Sequence, residues 1–161
     1  MEMPPLSQQV VKGHEPPQAI LLLIPTRWPD GLSGLILPIE LDDAGKPYYV
    51  EDSLVVKKIL SADAVPVEWC TEEDKHPEVR LHSAEWIIPT ILWLAEAITQ
   101  SSIDAFVGAI LERAKLRRAD TCRLKAGFYE DGALSWFDYQ GPPEEATEAL
   151  RRAMTNGIPR K

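Results

Sequence analysis

The segment SSIDAFVGAILERAKLRRA, residues 101–119, constrains the fold of this chain more than any other. Its apolar side chains recur every three or four residues, as on one buried helix face: Ile103, Phe106, Val107, Ile110, Leu111 and Ala114. Ser101 or Ser102 can cap the start of this helix, and Arg117 and Arg118 complement the dipole at its end. Such a helix must bury its apolar face against another layer of structure.

The residues after this helix predict an antiparallel hairpin and a second helix. In CRLKAGF, residues 122–128, apolar and polar side chains alternate with the period of a strand. The pair Asp131-Gly132 is typical of a tight turn, and ALSWFDY, residues 133–139, returns as the partner strand. GPPEEATEALRRAM, residues 141–154, places prolines and acids near its start and arginines near its end, which is typical of a helix.

The N-terminal half contains shorter apolar segments. AILLLIP (19–25) and LILPIEL (35–41) predict two strands of a hairpin-like unit, joined by turn residues. Pro38 has no backbone N–H, so the second strand is expected at a sheet edge or with a bulge. LVVKKIL, residues 54–60, fits a short helix capped by Asp52 or Ser53, or a strand.

Two extended segments and another helix are predicted in the middle of the chain. AVPVEW (64–69) and EVRLH (78–82) are expected to be short and extended. From residue 84 to 98, apolar residues recur at helical spacing, which predicts a helix with Pro89 in its first turn.

Together these elements predict an α+β fold. We expect a single compact domain in which a mainly antiparallel sheet, built from hairpins, packs against two central helices and a short C-terminal helix. The length of 161 residues suits one domain. The expected boundaries are a flexible Pro-rich N-terminal arm at 1–18, the domain at 19–155 and a C-terminal tail at 156–161.

The charge of the chain is unevenly distributed. The formal net charge is −8, yet residues 112–125 carry six basic and two acidic side chains. An acidic body with one basic stripe repels nucleic-acid phosphates over most of its surface, so it favours a protein partner.

The basic stripe supplies the candidates for partner binding. Four basic side chains can form one patch if the main helix turns directly into the hairpin, and aromatic residues of the facing strand can flank it: Arg117, Arg118, Arg123, Lys125, Trp136 and Tyr139. Alternatively, the charges only complement a helix end and solvate a strand face, and Trp136 belongs to the core.

The segment WCTEEDKHPEVRLH, residues 69–82, raises the question of a metal site. Cys70, His76 and His82 are the candidate ligands, but their five-residue gaps differ from the close pairs of structural zinc sites. The sequence therefore favours a solvated acidic loop, and we expect no cofactor.

Function is predicted largely from what the sequence lacks. It contains no phosphate-binding glycine loop and no nucleophile elbow. It shows no secretory signal and no apolar run long enough to cross a bilayer, so we expect a cytoplasmic protein with reduced cysteines and no membrane partner. The favoured function is a non-enzymatic, small acidic protein-binding module, of adaptor, inhibitor or immunity type. The alternatives are a small metal-dependent hydrolase using the Cys70–His82 segment and nucleic-acid binding through residues 113–125.

Overall fold

The fold is seen in a computed structural model that describes residues 16–71, 78–79 and 86–156. The helices are α1 (Gln18–Leu21), α2 (Ser53–Ala62), α3 (Gln100–Arg117) and α4 (Pro143–Asn156), with a 3-10 turn at Ala95–Ala97. The strands are β1 (Gly34–Leu37), β2 (Glu40–Leu41), β3 (Pro47–Val50), β4 (Val67–Trp69), β5 (Glu78–Val79), β6 (Trp86–Ile87), β7 (Thr90–Leu94), β8 (Cys122–Glu130) and β9 (Ala133–Gly141). Most of the predicted N-terminal arm, residues 1–15, and residues 157–161 of the predicted tail lie outside the described residues.

Six strands form a mixed, mainly antiparallel sheet. Its spatial order is β4, β1, β7, β8 and β9, and β6 continues β7 along the same side of β8. The pairs β1–β7 and β8–β9 are antiparallel, whereas β1–β4, β6–β8 and β7–β8 are parallel. The hairpin β8–β9 turns at Asp131 and Gly132, and both residues have positive φ. A two-residue loop needs positive φ at both positions when its twist matches the right-handed twist of the flanking strands. The predicted hairpin is therefore confirmed.

The second sheet is small and contains β2, β3 and β5. Pro38 ends β1, and the chain then leaves the large sheet to form β2, which pairs with β3. The expectation that the strand carrying Pro38 lies at a sheet edge or carries a bulge is wrong: β1 pairs with β4 on one side and β7 on the other, and it ends at Leu37, before the proline that cannot donate to its ladder. The predicted extended segments at 64–69 and 78–82 correspond to β4 and to β5, where the described part is Glu78–Val79.

The helix predicted over residues 84–98 is wrong. This segment forms β6 and β7 instead, and one extra residue near Pro89 shifts the register with β8 between Ile87 and Ile91. The central strand β7 is covered on both faces, so apolar residues occupy consecutive positions and mimic a helical period. Its aromatic and β-branched residues favour a strand.

The helices α2, α3 and α4 cover one face of the large sheet, here called the helix face. Side chains from all three helices pack there on alternate residues of the strands. The helices contribute Val56, Phe106, Ile110 and Leu150, and the strands contribute Ile91, Trp93, Leu124 and Phe128. The segment 54–60, which fits either state by sequence, is helical within α2. The predicted helices at 101–119 and 141–154 are confirmed as α3 and α4.

The cap of α3 lies slightly earlier than the sequence suggests. Thr99 is the N-cap: its Oγ1 accepts a hydrogen bond from the Ser102 backbone N–H at 3.1 Å, and Ser102 Oγ accepts one from the Thr99 N–H at 2.8 Å. This reciprocal capping box fixes where α3 begins.

The opposite face of the large sheet, here called the cover face, is shielded by residues 16–32. Ile20 from this segment packs with Leu35, Leu92 and Trp136 in a second apolar cluster. The strand predicted at 19–25 is wrong, because residues 18–21 form α1 and the chain then turns, which leaves Leu22 74% exposed. A short apolar run does not distinguish a buried strand from a helical turn.

The predicted fold class is confirmed: the chain is a compact single α+β domain with a mainly antiparallel mixed sheet. None of the helices in the described ranges is long and apolar enough to span a membrane.

Candidate functional site

The basic stripe is divided between the two faces of the large sheet. Arg113 and Arg117 extend from α3, on the helix face. Arg123 and Lys125 lie on β8, where Leu124 between them is buried beneath the helices, so both point to the cover face. The structure therefore forms two separate groups of charges.

The first group surrounds the carboxylate of Asp52, which is only 3% exposed. Arg117 donates to it twice, through Nε to Oδ2 at 2.5 Å and through Nη2 to Oδ1 at 3.0 Å. Arg113 Nη2 donates to Oδ1 at 2.8 Å, and Trp86 Nε1 donates to Oδ2 at 3.2 Å. Glu51 Oε1 lies 2.7 Å from Arg117 Nη2. We call these five residues the Asp52 cluster.

The arginines keep Asp52 ionised. Burial alone raises the pKa of this carboxyl, but the hydrogen bonds and charges of Arg117 and Arg113 outweigh burial and hold the pKa below its usual value. The hydrogen bond to Asp52 is also the main reason why the pKa of Arg117 is raised. Two acids therefore balance two arginines, and the Asp52 cluster offers a partner no net charge.

The Asp52 cluster has a structural role. Asp52 precedes α2 at the N-cap position, but its side chain does not cap that helix and instead joins α2 to α3 and β6. Its backbone has a φ of +83°, in the left-handed region that aspartate tolerates better than most residues. The fold holds this strained conformation because the carboxylate is bound from three sides.

The second group lies in a cleft between the cover face and the segment that shields it. We call it the cationic cleft; its volume is about 240 Å³. Its lining is mainly apolar, with one hydroxyl and two cations: Pro16, Pro17, Ile20, Pro38, Ile39, Ile87, Ile88, Thr90, Arg123 and Lys125. The apolar wall comes from three separate parts of the chain and the cations from a fourth, so the cleft exists only in the folded domain.

The size and charge of the cationic cleft limit what it can bind. A cavity of about 150 Å³ admits benzene, whereas drug-sized ligands occupy roughly 300–1,000 Å³. The cleft therefore fits one bulky side chain or a similarly small group. Across the described ranges, no salt bridge joins Arg123 or Lys125 to a carboxylate. On β9, Asp138 lies opposite Lys125, and Gln140 lies opposite Arg123.

The aromatic candidates lie outside this cleft. Trp136 is on the cover face but only 6% exposed, packed in the second apolar cluster, as the core alternative anticipated. Tyr139 lies on the helix face, and its hydroxyl donates to Glu145 Oε2 at 3.2 Å. Arg118 is exposed at the C-cap of α3, with a φ of +52°. Of the six partner-binding candidates, the structure brings together only Arg123 and Lys125.

Of the three candidate metal ligands, Cys70 lies in the described part of the chain, and His76 and His82 lie outside it. The Cys70 thiol is buried and donates to the Leu23 carbonyl oxygen at 3.4 Å. Burial raises its pKa to about 11, so the neutral thiol predominates at pH 7. Within residues 16–71, 78–79 and 86–156, no group of three or more His, Cys, Asp and Glu side chains is arranged to hold a metal ion.

Sequence reasoning missed the Asp52 cluster. One signal was available: Arg113 and Arg117 are one helical turn apart, so they share a face of α3 and can hold one carboxylate between them. No local signal identified the carboxylate, because Asp52 is 61 residues from Arg113 in sequence. The apolar wall of the cationic cleft was missed for the same reason.

Comparison with known proteins adds no functional assignment to this geometry. No family model, no curated protein and no solved structure matches the chain.

Proposed function

We propose that this chain is a small, acidic, non-enzymatic protein-binding module, of adaptor, inhibitor or immunity type, which engages a partner through the cationic cleft. The observation that carries the proposal is the position of Arg123 and Lys125 beside an apolar wall. In a chain of net charge −8, this local positive potential attracts a negatively charged partner and orients it during encounter.

The apolar wall gives the same site a source of binding energy. Burial of a large apolar side chain contributes about 1.5–3 kcal/mol, whereas exposed charge pairs contribute about 1 kcal/mol or less. In the proposed mode, Ile20, Ile39 and Ile87 therefore determine how long the complex lasts. Arg123 and Lys125 determine how fast it forms and which partners are accepted.

This proposal explains the charges better than nucleic-acid binding does. Of the basic residues at 113–125, Arg113 and Arg117 are already paired with Asp52 and Glu51. The remaining basic side chains do not form one continuous surface, and phosphate binding depends on the number of cations that contact the backbone together.

The test is a binding measurement on a partner identified by cross-linking in source cells and then purified. Arg123→Glu/Lys125→Glu should slow association at low salt by roughly tenfold and should flatten its salt dependence. Arg152→Glu is the matched control, since Arg152 is exposed on α4, on the other side of the sheet. The control should associate as the parent does.

Two outcomes would contradict the proposal. In the first, the double variant and the parent bind the purified partner with the same association rate at low salt. In the second, generic duplex DNA binds to the parent with steep salt dependence and the cross-linked material contains no specific protein, which would favour the nucleic-acid alternative.

A further inference from the structure

We infer that the cationic cleft recognises an extended acidic segment of a partner protein. In this segment two acidic residues lie two positions apart, and a large apolar residue lies two positions before the first acid or two positions after the second. This inference rests on the proposed function and specifies the chemistry of the partner.

The spacing of the acids follows from the geometry of β8. Arg123 and Lys125 are two residues apart on one strand, so both point to the cover face and their Cα atoms are separated by roughly 7 Å. Side chains at alternate positions of an extended segment have the same spacing and direction. Two acids at such positions therefore match the two cations, whereas adjacent acids point to opposite sides.

The apolar residue follows from the rest of the lining. Ile87 lies opposite Arg123 in the parallel pair β6–β8, and Ile20 and Ile39 extend the apolar wall beyond it. In the inferred mode, the segment crosses the cleft so that the next side chain of the same face lies against this wall. The volume of about 240 Å³ admits one such side chain and excludes a larger ligand.

The two cations are not equivalent. Asp138 is the cross-strand neighbour of Lys125, whereas the neutral Gln140 is the neighbour of Arg123. An arginine can also pair with a carboxylate through two parallel hydrogen bonds, which a lysine cannot. The acid that meets Arg123 therefore contributes more than the acid that meets Lys125.

The experiment uses the full chain and a fluorescent peptide in which two glutamates and one leucine occupy alternate positions between serines. Three control peptides replace the glutamates by glutamines, move the leucine by one position, or place the glutamates side by side. Fluorescence anisotropy should show binding of the first peptide and a loss of roughly tenfold or more for each control. Arg123→Gln should weaken binding more than Lys125→Gln, and Arg152→Gln should leave it unchanged.

Circular dichroism of each variant confirms that the domain is folded, and Ile39→Ser, at the half-buried wall of the cleft, provides an independent loss of binding. Equal binding of the glutamate and glutamine peptides, or no binding of any peptide, would overturn the inference. Octanoate that displaces the peptide at equal concentration would also overturn it, since the ligand would then be a small carboxylate. A dimer of the parent that Arg123→Glu converts to a monomer would identify a second copy as the occupant and refute the peptide motif.

The peptide and partner experiments fail separately. If the peptides do not bind but the double charge reversal still slows association of the purified partner, the motif is wrong and the proposed function stands. If neither responds, the cationic cleft is not the binding site and both proposals fail.

Discussion

Replacing Asp52 by asparagine tests whether the Asp52 cluster holds α2, α3 and β6 together. Asparagine has nearly the same shape and tolerates the left-handed backbone at this position, so the change mainly removes a buried negative charge. Arg113 and Arg117 then keep their own charges, at 21% and 28% exposure, with Glu51 as the acid that still pairs with Arg117.

The magnitude follows from this partial burial. Removing one partner of a fully buried ion pair costs about 3–5 kcal/mol, because an uncompensated charge remains. Here both arginines reach some solvent, and the amide oxygen of asparagine can still accept one hydrogen bond. We therefore expect Asp52→Asn to lower the free energy of unfolding by about 2–4 kcal/mol, a large part of the roughly 5–15 kcal/mol typical of a domain.

The assay is equilibrium unfolding in urea at pH 7, with Asp104→Asn as the matched control. Asp104 also pairs with an arginine, Arg151, at 2.5 Å, but its side chain is 57% exposed. The control should leave the unfolding midpoint nearly unchanged, because solvent replaces the lost contact. A variant of Asp52 as stable as the parent, or a control that is equally destabilised, would show that burial of the Asp52 carboxylate is not what makes the cluster stabilising.

The pH dependence gives a second check on the same residue. The pKa of Asp52 is held below its ordinary value of 3.8 by the arginines, so above pH 3.8 the carboxyl is ionised in both states and stabilises the fold. As the pH falls below 3.8, the unfolded state takes up the proton first and this contribution is lost. The difference between the parent and Asp52→Asn should therefore shrink in that range; a constant difference would contradict the assigned cause.

Three further predictions concern the two apolar layers. Ile110→Ala should destabilise the domain by about 2–5 kcal/mol in urea unfolding, since this side chain is fully buried on the helix face. Gly127→Ala should cost about 1–3 kcal/mol by overpacking, because the added Cβ would lie 2.3 Å from Trp136 Cζ3; an unchanged midpoint would show that Trp136 moves freely. The Cys70 thiol, with a pKa raised from 9.0 to about 11, should make the free energy of unfolding fall by roughly 2 kcal/mol between pH 9 and 11, a loss absent in Cys70→Ala.

The sequence predicts those elements whose two faces differ in polarity. Helix α3 has a buried face and an exposed face, and apolar and polar residues alternate at the start of β8. The spacing of the apolar residues therefore identifies the first as a helix and the second as a strand. The segments 19–25 and 84–98 have no such contrast. Strand β7 is covered on both faces, and α1 is part of an apolar run that folds onto the cover face. Both sequences therefore fit a helix as well as a strand.

The candidate site shows the same division between local and long-range information. The alternation along β8 fixes Arg123 and Lys125 on one face, and that prediction needs no knowledge of the rest of the fold. Whether a charge is available to a partner is a different property. Arg117 has the same charge and lies only six residues earlier, yet it is paired with Asp52, 65 residues away.

The folded topology decides which cations remain available, because it determines where the acids are placed. Asp52 enters the helix face at the start of α2 and is enclosed with two arginines, which removes those arginines from the surface potential. The cover face receives residues 16–32, whose contributions to the cleft are the apolar Pro16, Pro17 and Ile20. Within the described residues, the wall that faces Arg123 and Lys125 is apolar and cannot neutralise them, and the nearest cross-strand acid, Asp138, lies beside Lys125 rather than Arg123. In the proposed mode, the carboxylate that pairs with Arg123 therefore comes from the partner.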